Sequence, residues 1–217
     1  MSKILIQVTD MTIGYRDKVL YDGVSFDIKE GDCIMLCGAN GSGKTTLLNA
    51  LSKTRSCETV MIPTRIPKVT GFTAKEFIRI ACFRQSDMGG RLSRADEKAI
   101  DTALDTLGIS HLADRDISTL SDGEFQKTAI ASAIVRRASV ILLDEPTAFL
   151  DAENRISVLR TLRTLCDTHG TAILFSTHDL YDGKTVCTKV FALGADCRFR
   201  CATQDFDECV GTIFRKF

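Results

Sequence analysis

CIMLCGANGSGKTTLLNALSK, residues 33–53, divides into three parts with different chemistry. Residues 33–37 are a continuous apolar run, the pattern of a strand buried on both faces of a parallel sheet. From Thr46 onward the pattern is helical. Between them Gly38-Ala39-Asn40-Gly41-Ser42-Gly43-Lys44-Thr45 matches the phosphate-binding pattern G-x-x-x-x-G-K-[ST] in full. Glycines at this spacing let the backbone curl until its N–H groups line a triphosphate. Lys44 is placed to reach the β and γ phosphates, and Thr45 to offer its hydroxyl to Mg2+. Gly38, Asn40, Gly41, Ser42, Gly43, Lys44, Thr45 and Thr46 are the expected nucleotide contacts.

Outward from that loop, strands and helices alternate. ILIQVTDMTIGY and VLYDGVSFDI alternate like strands, with Asp22-Gly23 and Glu30-Gly31-Asp32 as turn signals. VILLDE (140–145), TAILFST (171–177) and KVFAL (189–193) are further apolar strands. Ile100, Ala103, Leu104 and Leu107 make a helical stripe stopped by Gly108, and another helix is expected from Ser121 to about Arg137. Asn154 to His169 repeats the pattern, with Gly170 as its stop, and DFDECVGTIFRKF (205–217) is expected to form a closing helix. This order predicts an α/β fold around a mostly parallel sheet. It predicts one domain over residues 1–217, with 1–71 and 139–217 forming the sheet core and about 72–138 a helical subdomain.

Composition is that of an ordinary soluble protein: 217 residues, 44% hydrophobic and 26% charged. Twenty-eight basic residues balance 28 acidic ones, so no nucleic acid is expected as a partner. No apolar run is long enough to span a bilayer, and MSKILIQVTD lacks the apolar region of a signal peptide, which predicts a cytosolic chain. Nine cysteines are an odd number without a C-x-x-C pair. Cys33 and Cys37, like Cys197 and Cys201, stand four apart inside apparent strands and read as reduced core residues rather than metal ligands.

Three acid–base residues fall at strand ends, where open α/β sheets bind ligands. Asp144 and Glu145 end the 140–145 strand: Asp144 suits the second shell or direct coordination of Mg2+, and Glu145 could polarise a water for in-line attack on a γ-phosphate. His178 closes the next strand at the same edge, whereas His111 and His169 read as surface or packing residues. TLSDGEFQK (119–127) adds a second anion candidate. Ser121 and Glu124 have capping-box spacing, and a helix start offers free N–H groups to negative charge.

In this order, the phosphate loop, LSDGE, VILLDEP, AFLD and STHD resemble the ATP-binding subunit of ABC transporters over nearly the whole chain. The resemblance implies a P-loop NTPase (RecA-like) core, an N-terminal antiparallel β subdomain and a helical subdomain bearing the LSDGE signature. It implies ATP and Mg2+ as cofactors, with Lys44, Glu145 and His178 catalytic and Thr45 and Asp144 at the metal. It further implies a head-to-tail homodimer on ATP, in which Ser121 and Gly123 of one copy touch the γ-phosphate held by the other. Asp151 would cross the interface towards the neighbour's phosphate loop. Tyr15 takes the place of the aromatic that stacks on adenine; a plain strand aromatic is the other reading. Integral-membrane permease subunits and a substrate-binding protein would be partners, with the chain peripheral on the cytoplasmic face of the cell membrane. DTALDTLGISHLADRDISTLSDGEFQK (101–127) with LLDEPTAFLDAENRISVLRTL (142–162) and HDL looks like the ATPases importing siderophore-bound iron, haem or cobalamin.

Two departures stand against that pattern. Asp122 replaces the signature's usual first glycine, adding a negative charge beside a phosphate site. SCETVMIPTRIPKVTGF (56–72) is all that stands where such subunits carry a β-hairpin and a Mg2+-contacting glutamine. Thr64 aligns with that glutamine, and Gln85 lies about twenty residues beyond. The alternatives are an ABC-type ATPase outside a transporter, serving DNA repair or metal-cluster assembly, and a nucleotide-binding regulator with little hydrolysis. The short span from Lys44 to Leu120 leaves no room for the coiled coil of the DNA-repair type, and a small-molecule kinase would leave the signature unexplained.

Overall fold

The computed structural model describes residues 2–15, 18–82, 92–211 and 213. It has two compact units: one of Met1–Thr64, Ser139–Ala148 and Leu159–Phe217, the other of Arg65–Ala138 and Phe149–Val158.

Two sheets make the first unit. β1 (Ile4–Tyr15) and β2 (Lys18–Lys29) form an antiparallel pair. The other sheet holds β3 (Cys33–Gly38), β4 (Thr59–Ile62), β5 (Val140–Leu143), β6 (Ala172–Ser176), β7 (Lys189–Leu193) and β8 (Phe199–Ala202), in the order β4-β5-β6-β3-β7-β8. All its pairings are parallel except β7 with β8. β3, β5, β6 and β7 are buried at every position, which explains why their sequences are near-continuous apolar runs rather than alternating, with Ser176 ending β6 and Lys189 opening β7. α1 (Lys44–Ser52) follows β3 and puts Leu47, Leu48 and Leu51 into a core shared with Ile34 and Leu36 of β3 and with Ile6, Ile13 and Ile28 of the antiparallel pair. Phe26, Phe191 and Phe199 close that core as a three-ring cluster with centroids 4.6 to 5.3 Å apart.

In the second unit α2 (Ala74–Cys82), α3 (Arg94–Thr106) and α4 (Asp122–Val135) pack around Ile78, Ile100, Leu104 and Phe125. Phe77 meets Phe125 at 5.5 Å. Ser93 and Asp96 cap α3 reciprocally, and the stripe ends at Gly108 with φ 66°. α5 (Ala152–His169) buries the expected Val158, Leu159, Leu162, Leu165 and Cys166. α6 (Leu180–Val186) and α7 (Phe206–Gly211) belong to the first unit. Residue 212 and residues 214–217 of the expected closing helix lie outside the described residues, as does Gln85.

Three local readings are corrected. Asp22-Gly23 is no turn: it lies inside β2 at a register shift, where Met11 pairs with Val24 and Ile13 with Tyr21, and Gly23 takes φ 68°. The two residues accommodate a bulge in a long, twisted pair. Cys197 and Cys201 do not share a strand, because Cys197 sits at φ 57° in the turn before β8. Residues 59–62, left without an element by the sequence reading, form β4 beside β5.

Candidate functional site

The phosphate loop leaves β3 between β6 and β7, at the carboxyl edge of the parallel strands. Gly43 begins α1 at φ 100°, a conformation L side chains rarely adopt, and Gly38 passes so close to β7 that an added Cβ would lie 3.0 Å from that of Leu193. Lys44 is only 6% exposed and folds back to donate to the Gly38 and Ala39 carbonyls at 3.0 and 3.2 Å. Burial pushes its pKa below the ordinary lysine value, against the opposing pull of Glu145 and Asp144. Among the described residues Ser42 Oγ is buried in the loop without a hydrogen-bond partner, and Lys44 donates only to carbonyls. Such an orphaned hydroxyl beside that cation fits an anionic ligand.

Asp144 sits just past β5 with both oxygens engaged. Thr45 Oγ1 donates to Oδ2 at 2.8 Å, and Ser176 Oγ donates to Oδ1 at 2.7 Å. The Asp144 N–H donates to the Ile62 carbonyl at 3.0 Å, which puts Thr64, two residues on, after the end of the neighbouring strand. Glu145 takes φ 50°, strained for a residue with a side chain, and its N–H donates to Ser176 Oγ at 2.8 Å. Its carboxylate pairs with His178 Nε2. Lys44, Thr45, Asp144, Glu145 and His178 thus form one cluster. Ser176 was missed by sequence reading, although a serine closing an otherwise apolar AILF run was a usable signal.

Tyr15 ends β1 and is 63% exposed. On the partner strand Leu20 and Tyr21 lie against Gly43, so the tip of this pair borders the loop.

The signature belongs to the second unit. Ser121 caps α4: its Oγ accepts from the Glu124 N–H at 3.2 Å, while its own N–H donates to Glu124 Oε2 at 2.8 Å. That donor holds the Glu124 carboxyl below its ordinary pKa. Gly123 is buried against the Asn154 side chain. Asn154 in turn donates through its N–H and Nδ2 to Asp151, at 2.8 and 3.0 Å, which keeps that carboxyl below the usual range. Asn154 therefore ties the signature helix to Asp151, a link no spacing in the sequence revealed. The added charge at Asp122 is met by Lys68 at 2.7 Å.

The family model for ABC transporters matches residues 21–148. The chain is 29% identical over 197 residues to the iron(3+)-hydroxamate import ATP-binding protein of Bacillus subtilis, covering 81% of this chain and 73% of that one. It is 33% identical over 190 residues to an aliphatic sulfonates import ATP-binding protein of Paracoccus denitrificans, covering 87% and 77%. Among solved structures, an inward-facing ABC transporter described as metal-chelate type superposes with a TM-score of 0.86 at 25% identity, over 96% of this chain and 88% of that one.

Proposed function

The chain belongs to the ABC transporter family as an ATP-binding subunit and an ATPase, and from that premise we propose that two copies hydrolyse ATP head to tail to drive import across a membrane. We read both units as parts of one ATPase domain. The cargo we assign is siderophore-bound iron, haem or cobalamin, supported by the run from Asp101 to Lys127 and by the hydroxamate-import and metal-chelate relatives. Integral-membrane permease subunits and a substrate-binding protein complete the system. No helix among the described residues is long and apolar enough to cross a membrane. In this reading the subunit docks on its permease from the cytoplasmic face.

The single observation that carries hydrolysis is the clamp on Asp144 by Thr45 and Ser176, with Glu145 fixed beside it. Lys44 exchanges its bonds to loop carbonyls for phosphate oxygens, joined by the N–H groups of Gly38 to Thr46 and by Ser42 Oγ. Thr45 and Asp144 would hold Mg2+, which when bound would neutralise phosphate charge. Glu145 takes the proton of the attacking water, and His178 keeps its carboxylate aimed. Tyr15 stacks on adenine. Ser121 and Gly123 of one copy close on the γ-phosphate of the other, and Asp151 reaches across the same interface.

Glu145→Gln tests this reading in the purified chain. Gel filtration in Mg-ATP should show a trapped dimer, and hydrolysis should fall about a hundredfold or more. A variant that stays monomeric in ATP would contradict the shared site.

A further inference from the structure

Asp122 stands at the first helical position of α4, between the two residues assigned to the neighbour's phosphate. A carboxylate there repels an approaching anion. The same spot holds a cation from elsewhere in the unit. Lys68 Nζ donates to Asp122 Oδ1 and to the Leu120 carbonyl, both at 2.7 Å, and lies 5.6 Å from the centre of the Phe125 ring. Its side chain is 25% exposed against 61% for Asp122, so the lysine is the ordered partner and the carboxylate the outward one.

We infer that Lys68 is a positioning residue for the signature turn: it gathers the Asp122 carboxylate and the Leu120 carbonyl onto one ammonium, leaving Ser121 and Gly123 a face that accepts phosphate. This rests on the trans-site reading above. Lys68 makes no contact with nucleotide in it; the effect travels through Asp122. The charge at Asp122 then needs its lysine, and a chain without that charge does not.

The experiment is a double-mutant cycle on the full chain, with ATP turnover measured against ATP concentration and thermal melting as a folding control. Lys68→Gln should raise the KM for ATP about tenfold, and the gap should shrink between low and high salt, as screening requires. Asp122→Gly in the Lys68→Gln background should restore KM to within about twofold of Asp122→Gly alone. Lys68→Arg should keep KM within about twofold of the parent, since it preserves the charge. A Lys68→Gln defect of equal size with and without Asp122→Gly would mean that the lysine merely props the Leu120 carbonyl, and would overturn the inference. A parent chain that turns over ATP normally and is indifferent to Lys68→Gln overturns it alone; a parent that cannot hydrolyse ATP overturns the functional reading as well.

Discussion

Ser176 Oγ donates to Asp144 Oδ1 at 2.7 Å and itself accepts from the Glu145 backbone N–H at 2.8 Å. One fully buried hydroxyl therefore sets the carboxylate assigned to the metal and the strained backbone that aims the proposed base. Ser176→Ala should leave the Glu145 N–H and one Asp144 oxygen unpaired, costing about 1–3 kcal/mol of stability. Hydrolysis at saturating ATP should fall about tenfold or more, because Glu145 is free to leave φ 50°. Denaturant titration and kcat check both; a stability loss with unchanged kcat would show that Ser176 positions nothing.

Ser121→Arg separates the two sites of one molecule. The bulky cation should stop hydrolysis, while fluorescent ATP still binds the isolated chain with its parent affinity, since the proposed contact of Ser121 is with the neighbour's nucleotide. The lost cap costs about 1 kcal/mol, too little to unfold the chain. Monomer binding that disappears along with hydrolysis would place the signature in its own molecule's site.

Much of this was legible because it is local. The glycine loop, its flanking strand and helix, and the capping box at Ser121 and Glu124 are each specified within a few residues. Asp144, Glu145 and His178 could be grouped because parallel strands bring their carboxyl ends to one edge. What stayed hidden depends on pairing across the chain. The clamp by Ser176 spans 32 residues and the Lys68–Asp122 pair 54, and neither leaves a periodic trace. β4 escaped because a four-residue strand before a proline looks like loop until β5 is placed beside it. Asp22-Gly23 misled because a bulge inside a strand uses the same residue types as a turn.

Glu124 gives α4 a pH dependence whose sign follows from its partner. The Ser121 N–H stabilises its charged form and depresses the folded pKa below the ordinary 4.5. Such a group contributes in full above the unfolded value, and the contribution is lost as pH falls through the folded one. Glu124→Gln keeps the length of the side chain and removes its titration. It should be less stable than the parent at pH 7, with the gap narrowing as pH drops below about 4.5. Melting curves from pH 7 to 3 check this; a constant gap would assign the effect to packing.

Lys189 tests whether stability and chemistry are separable along the same strands. It begins β7, at the end of the sheet opposite the phosphate loop. Its Nζ donates to Asp32 Oδ2 at 2.7 Å and to the Asp27 carbonyl at 2.9 Å, in a pair only 9% and 17% exposed. Lys189→Ala strands the Asp32 carboxylate with only the Lys29 N–H as a donor among the described residues, at 2.8 Å. Removing one partner of a buried pair costs about 3–5 kcal/mol. In a chain of this size that lowers Tm by about 10 °C. Turnover per folded molecule at 20 °C should stay within about twofold of the parent, because the lost pair touches none of the proposed ATP contacts. Asp32→Asn in the Lys189→Ala background should recover part of the loss, since the stranded charge is its largest component. An unchanged Tm would show that the pair is solvated, and a collapse of kcat at full folding would tie this end of the sheet to the reaction.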